Sequence, residues 1–228
     1  HMLAPVSLVV TAFAPATDAR LALTPQLKIS DEANCLLQID LGRGQDRLGG
    51  SVLEQVHGVF SEQVPDLDNA RDLAGFFAAI QELMAEKLML AYHDRSDGGL
   101  ATTLCEMAFS ARCGLELTFD DVAGQDADRL RARLFAEEPG AVIQVSETNK
   151  QVVLKCLAKH GVGELVADIG RAVPGKTLNL DIGGRTVLQS DLSHLHQAWN
   201  ETSFEVQKLR DHPICAEEEF ARTLHWDQ

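Results

Sequence analysis

The chain has 228 residues, of which 45% are hydrophobic and 24% charged, a composition typical of a globular protein with a buried core. Its 20 basic and 34 acidic side chains give a net charge of −14. This charge argues against non-specific binding to nucleic acid or to an anionic membrane, because both require clustered Lys and Arg. No apolar run in the sequence approaches the roughly 20 residues that span a bilayer, and none has the pattern of a signal peptide.

The first part of the chain predicts two strands, two helices and a third strand. Residues 6–14 predict a strand, and so do residues 35–41, which are apolar enough for both faces of the strand to be covered. Gly49-Gly50-Ser51 is expected to open a helix that continues to about His57. After a polar break at 66–69, a helical stripe of apolar side chains is expected to be core: Leu73, Phe76, Phe77, Ile80, Leu83 and Met84. Residues 87–92 then predict a short buried strand.

The later elements follow the same two periodicities. Strands are predicted at 114–119 and 141–145, and helices at 127–135 and 152–158. The alternating segments on either side of Gly183-Gly184 predict a β-hairpin. A helix is predicted from Ser190 onward, and its final charged stretch from Asp211 is expected to be solvated. Because i and i+2 do not share a helical face, His194 and His196 are interpreted as surface or interface histidines rather than metal ligands.

Residues 170–177 match the phosphate-binding pattern G-x-x-x-x-G-K-[ST] letter for letter. That pattern works only when a helix follows it, because the helix N-terminus receives the phosphate. The residues after Thr177 predict the hairpin instead, and Pro174 removes a backbone donor from the loop. We therefore reject a P-loop here.

Five cysteines are present, and none belongs to a C-x-x-C pair: Cys35, Cys105, Cys113, Cys156 and Cys215. The odd number and the spacing predict neither a zinc finger nor a disulfide framework. Reduced cysteines suit the cytoplasm, which is the location we expect.

The stretch from Tyr92 to Leu100 is the most informative in the chain. It leads from the predicted strand through a polar, glycine-bearing turn into a helix, whose N–H groups and dipole suit a phosphate. Asp94 and Asp97 add carboxylates that could bind Mg²⁺. The alternative is a capped turn, with Asp97 as the N-cap and the glycines serving tight geometry. Spacing alone leaves both interpretations open.

This stretch also carries a family resemblance. Residues 94–100, followed by 106–109, resemble the phosphoribosylformylglycinamidine synthases, the glutamine-dependent amidotransferases of purine synthesis. Further segments that resemble the family occur in the family's order: 7–15, 23–27, 48–51, 137–145 and 199–203. The chain is most similar to the second C-terminal-type domain of the long bacterial form, with Pro139 as one departure. The family belongs to the superfamily of aminoimidazole ribonucleotide synthetase.

The resemblance implies an α+β fold, with a mixed β-sheet flanked by helices in α/β/α layers, and the alternating strands, helices and hairpin also favour this fold. We interpret residues 1–2 as a tag remnant, 3–190 as the domain, and 191–228 as a helical tail leading toward a glutaminase domain. The implied partners are an upstream synthetase domain and that glutaminase domain, both part of the same polypeptide.

The resemblance also implies an activity for the whole enzyme. Formylglycinamide ribonucleotide, ATP and glutamine would give formylglycinamidine ribonucleotide, ADP, phosphate and glutamate. Carried over by motif, Asp94 is a Mg²⁺ ligand and Ser96 contacts ATP or ADP, in a site that we expect to be auxiliary. No catalytic residue is assigned, and this chain alone is expected to be inactive. His93 is expected to be a capping or packed histidine.

Two other functions remain open from the sequence. The chain could be part of another ATP-using synthetase or kinase of the same superfamily. It could also be a non-catalytic interaction module, since an exposed apolar docking face would look the same in either case.

Overall fold

The computed structural model describes residues 9–16, 18–119 and 127–226. The strands are β1 (Asn34–Asp40), β2 (Ala91–Asp94), β3 (Gly114–Thr118), β4 (Gly140–Ser146), β5 (Val166–Val173), β6 (Thr177–Ile182) and β7 (Arg185–Asp191). The helices are α1 (Val52–His57), α2 (Ala70–Ala85), α3 (Gly99–Ala111), α4 (Ala127–Phe135), α5 (Lys150–Lys159), α6 (Leu192–Arg210) and α7 (Pro213–Ala221).

All of these strands form one sheet in the order β2-β4-β1-β5-β3-β6-β7. β3 and β6 pair in parallel, whereas the other neighbouring strands pair antiparallel. The sheet is therefore mixed, as the sequence predicted. The predicted hairpin is confirmed as β6 and β7. β6 begins at Thr177, where a P-loop requires a helix, so the rejection of a P-loop at residues 170–177 is also confirmed.

Helices cover both faces of the sheet. Inner strands such as β1 point successive apolar side chains to opposite faces, so both faces must be covered. In β1, Leu36 packs into the cluster beneath α3, α4 and α6, whereas Leu37 and Ile39 pack into the cluster beneath α2 and α5. All three side chains are fully buried. The predicted α+β fold with α/β/α layers is thus confirmed.

The stripe on α2 is only partly core. Ile80 and Leu83 are buried, but Leu73 is 44% exposed and Phe77 is 63% exposed. The prediction that all six apolar side chains are core was therefore wrong. Periodicity identifies a helical face, but the neighbouring elements decide how much of that face is covered.

Two strand predictions need correction, and one strand was not predicted. The described residues 9–14 form no strand, and Val9 and Phe13 are almost fully exposed, while residues 6–8 lie outside the described part. A strand requires a pairing partner, which an alternating pattern cannot supply. β2 begins only at Ala91, because the chain leaves α2 through Lys87 in the left-handed region (φ 55°). β5 had not been predicted.

The last helices pack onto the sheet domain. The His196 ring stacks on Phe109 of α3 with 4.7 Å between ring centroids, and burial lowers the pKa of this histidine. His196 is therefore an interface histidine, and His194 is exposed, as predicted. The division of the chain at residue 190 stays a prediction. Within the described ranges, no helix combines the length and the apolar character needed to cross a membrane.

Candidate functional site

The glycine-bearing loop lies at one edge of the sheet, where three strand ends meet. β4 runs antiparallel to both β1 and β2, so the carboxyl ends of those two strands lie beside the start of β4. In the register, Asp40 is opposite Gly140, and Asp94 is opposite Ala141. Sheet topology thus gathers the loops after β1 and β2 and the loop before β4 into one cluster.

Asp94, the predicted metal ligand, is exposed at this edge. The Tyr92 hydroxyl donates to Asp94 Oδ1 over 2.5 Å, and the Thr103 hydroxyl donates to the Asp94 backbone carbonyl over 3.3 Å. Burial, and then the bond to Asp94, raises the pKa of Tyr92, so this phenol stays a donor. The carboxylate is therefore oriented through one oxygen, and its other oxygen accepts no hydrogen bond from a described residue.

Ser96, the predicted nucleotide contact, is exposed two residues further on. Its backbone carbonyl accepts from the Gly99 N–H over 2.9 Å, which closes the turn at the start of α3. The structure thus places Asp94 and Ser96 on the same solvent-facing loop, on either side of Arg95.

Arg95 anchors this loop and was missed by the sequence analysis. Its side chain is 1% exposed and forms an ion pair with Asp40. It also donates to the backbone carbonyls of Glu138 over 2.5 Å and Pro139 over 3.2 Å. Its own backbone N–H donates to the Gly140 carbonyl over 2.9 Å. The one signal in the sequence was a basic residue between the two candidate site residues, Asp94 and Ser96.

Asp40 extends the anchor into the loop after β1. Its Oδ1 accepts from the Gly42 N–H over 3.1 Å, and its Oδ2 accepts from the Gly44 N–H over 2.6 Å. One carboxylate therefore joins the loop after β1 to the loop after β2, with Arg95 between them.

A second buried pair, Glu138 and Arg47, supports the third loop. Glu138 Oε1 accepts from the backbone N–H and the Nε of Arg47, over 3.0 and 2.7 Å, and its Oε2 accepts from Nη2 over 2.8 Å. Glu138 is fully buried, and its hydrogen bond raises the pKa of Arg47. Such a bidentate ion pair fixes the relative orientation of the two side chains and stabilises the buried carboxylate.

The start of α3 differs in part from each sequence interpretation. The N-cap is Gly98 (φ 79°) rather than Asp97, and no side chain caps the helix. The Gly98 N–H donates to Glu137 Oε1 over 2.8 Å, and the same oxygen accepts from the Val52 N–H over 2.9 Å. The prediction that the N–H groups of the turn are free is therefore wrong at Gly98, because a carboxylate of the chain itself takes that place.

The glycines of the turn are needed for close approach as well as for conformation. A Cβ on Gly99 (φ 67°) would lie 2.7 Å from the Phe135 carbonyl carbon and 2.8 Å from the Ala136 carbonyl oxygen. A side chain at Gly99 would therefore push α3 away from the end of α4.

Two other predictions, for His93 and for the rejected P-loop pattern, are confirmed. His93 is a packed histidine whose Nε2 lies 2.7 Å from Glu106 Oε2, and the other Glu106 oxygen accepts from Trp199 Nε1 over 3.1 Å. Lys176, the lysine of the rejected P-loop pattern, lies between β5 and β6 and pairs with Asp191 over 3.2 Å.

Comparisons with known proteins agree with this architecture. Residues 36–183 match the model of the family described as AIR synthase related protein, C-terminal domain. Thermotoga maritima PurL complexed with ATP has a similar structure, with a TM-score of 0.59 at 13% identity over 78% of this chain and 27% of that chain. PurL of the same organism complexed with FGAR gives a TM-score of 0.59 at 14% identity, covering 78% of this chain and 30% of that one.

Escherichia coli HypE, a hydrogenase maturation protein, is also similar, with a TM-score of 0.51 at 23% identity. The match covers 75% of this chain and 52% of the HypE chain. The chain thus spans little more than a quarter of the PurL structure with ATP and about half of HypE. At these identities the structural matches establish the fold.

Proposed function

Because the chain belongs to the family of AIR synthase related proteins, as a C-terminal domain, we propose that it is part of a phosphoribosylformylglycinamidine synthase. In this proposal the complete polypeptide converts formylglycinamide ribonucleotide to the amidine with ATP and glutamine. This chain contributes one half of a magnesium-nucleotide site and has no turnover alone. The ordered motifs along the sequence support the assignment, and so do the PurL structures with ATP, AMPPCP and ADP.

The observation that carries the site is the anchored loop from Asp94 to Ser96. Asp94 offers an oriented carboxylate with one oxygen toward solvent, which fits a hard cation such as Mg²⁺. The exposed Ser96 hydroxyl can donate to a phosphate oxygen. When bound, Mg²⁺ would supply positive charge to the polyphosphate, which the surrounding carboxylates cannot.

The residues of this chain would bind and orient the nucleotide rather than react with it. Arg95 is a positioning residue, since its side chain is buried against Asp40 and cannot reach solvent. Glu137 occupies the Gly98 N–H, so phosphate contacts in this half of the site would come from Ser96 and from the cation. A site of this kind suits an auxiliary nucleotide that supports assembly of the enzyme.

The proposal is tested by calorimetric titration of Mg·ADP into this chain and into the same chain extended upstream by the preceding domain. We expect binding to the extended protein, its loss on Asp94→Asn, and its loss when EDTA removes Mg²⁺. Asp97→Asn is the matched control, because Asp97 is an exposed carboxylate of the same loop that carries no role in the proposal. Absence of binding in both proteins, or equal effects of the two substitutions, would refute the assignment of Asp94.

The second candidate is another ATP-using enzyme of the superfamily, which the similarity to HypE supports. An activity assay on the complete polypeptide distinguishes the two candidates. Glutamine-dependent release of phosphate from ATP that requires formylglycinamide ribonucleotide supports the first. ATP turnover that is indifferent to this ribonucleotide supports the second.

A further inference from the structure

Three side chains with metal-binding atoms meet on the outer layer of the fold, on the helical side opposite α3. They are Glu82 of α2, Cys156 of α5 and His160, which follows α5 directly. One ligand atom of each lies within 4.8 Å of the others. Cys156 and His160 are four residues apart, so they project from the same face at the end of the helix.

The backbone around these residues is fixed by close packing. A Cβ on Gly75 of α2 would lie 2.3 Å from the His160 carbonyl oxygen, so the two helices touch at this point. Beyond the cluster, the Val162 N–H donates to the Leu157 carbonyl over 3.0 Å, and both of these side chains are fully buried. The three candidate ligands therefore sit on a rigid framework, which lowers the entropic cost of binding an ion.

The carboxylate of Glu82 already accepts hydrogen bonds from its neighbours in the cluster. Glu82 Oε2 lies 2.8 Å from His160 Nε2, and the Lys159 ammonium donates to both Glu82 oxygens over 2.7 and 2.8 Å. These bonds, first that of Lys159 and then that of His160, lower the pKa of Glu82 to about 2. Burial, and then the negative charge of Glu82, raises the pKa of the Cys156 thiol.

We propose that Glu82, Cys156 and His160 bind a zinc ion, with a fourth position open to water. Thiolate, imidazole and carboxylate are the ligands that zinc takes in proteins, at about 2.0–2.3 Å. The soft thiolate and the imidazole disfavour Mg²⁺ and Ca²⁺. The ligand atoms now lie within 4.8 Å of one another, and tetrahedral geometry requires roughly 3.5 Å, so they would have to approach by about 1 Å on binding the ion.

Binding of the ion is a proton exchange without redox change. The zinc–sulfur bond forms as the Cys156 thiol releases its proton to solvent, and Lys159 yields one Glu82 oxygen to the metal. His160 gives up its hydrogen bond to Glu82 and binds as the neutral imidazole, through the ring nitrogen that carries no proton. The bound ion joins α2 to α5, so it is expected to stabilise the chain. Its affinity should rise with pH, because the free thiol must lose a proton.

The test is calorimetric titration of Zn²⁺ into the reduced chain, with Cys156→Ser, His160→Gln and Cys215→Ser titrated in parallel. Cys215 is the matched control because it is an exposed thiol on α7, away from the cluster. We expect one zinc per chain and a melting temperature that rises on addition of Zn²⁺. Cys156→Ser should weaken binding by more than about 100-fold, since even residues that merely orient a ligand contribute 10–100-fold.

A second measurement keeps the test valid if a variant folds poorly. Co²⁺ added to the unmodified chain should give a thiolate-to-cobalt charge-transfer band and the visible bands of a tetrahedral site. Both should persist in Cys215→Ser. A cobalt complex without the thiolate band, or zinc affinity that is lost with Cys215 rather than Cys156, would overturn the proposal, and so would no binding by the unmodified chain.

Discussion

Asp40→Asn tests whether the buried anchor holds the candidate site together. The substitution keeps the size of the side chain but removes the charge that faces Arg95, whose side chain is 1% exposed. It also places an amide NH₂ opposite either the Gly42 or the Gly44 N–H, where Asp40 now accepts hydrogen bonds. Removing one partner of a buried pair costs about 3–5 kcal/mol. Because the amide oxygen can still accept from Arg95, we expect a loss of about 3 kcal/mol in the free energy of unfolding.

The assay is equilibrium unfolding in urea, with Asp40→Asn, Arg95→Met and the double variant compared. The two side chains are in contact, so the double variant should be less destabilised than the sum of the single variants by at least about 1 kcal/mol. Asp18→Asn is the control, because the Asp18–Arg20 pair lies on the surface and its loss should leave the unfolding transition unchanged. A loss below about 1 kcal/mol for Asp40→Asn, or strict additivity, would refute the anchoring role.

Three further predictions follow from local geometry. Gly99→Ala should destabilise the chain by clearly more than the roughly 1–2 kcal/mol of a left-handed alanine, because its Cβ meets the backbone at the end of α4. Gly44→Ala, where a Cβ meets nothing within 4 Å, should cost only that amount in urea unfolding. Asp191 caps α6, and its hydrogen bond with Ser193 lowers its pKa to about 2. The contribution of Asp191 to the free energy of unfolding is therefore present above the ordinary pKa of 3.8 and is lost as the pH falls toward 2. The stability gap between the unmodified chain and Asp191→Ala, about 1 kcal/mol at neutral pH, should therefore shrink in urea titrations below about pH 4. In the native, metal-free chain a thiol reagent should modify the exposed Cys215 first. Cys105, whose pKa burial raises to about 12, should react only after unfolding. The assay is a mass-spectrometric time course, and rapid reaction of both thiols would contradict the prediction.

Much of the fold follows from short-range patterns. Alternation about Gly183-Gly184 produced the hairpin that excludes a P-loop, and the helical spacing after residue 99 produced α3. The loop that carries Asp94 and Ser96 was also evident from its residues. These features depend on periodicity, turn chemistry and glycine conformation, which act over a few neighbouring residues.

Other features depend on which elements come together, and only the tertiary structure decided them. Arg95 finds Asp40 across 55 positions of sequence, and the Glu137 carboxylate takes the Gly98 N–H that the sequence had left for a phosphate. Phe77 belongs to an apolar stripe, yet it faces solvent because no described element covers it.

The cluster of Glu82, Cys156 and His160 shows the same division. The i, i+4 spacing of Cys156 and His160 is visible in the sequence, but the carboxylate that completes the set comes from another helix. Local sequence determined which side chains could serve as ligands, anchors or core. Packing determined which of them meet, because burial and pairing are properties of the whole chain rather than of any one segment.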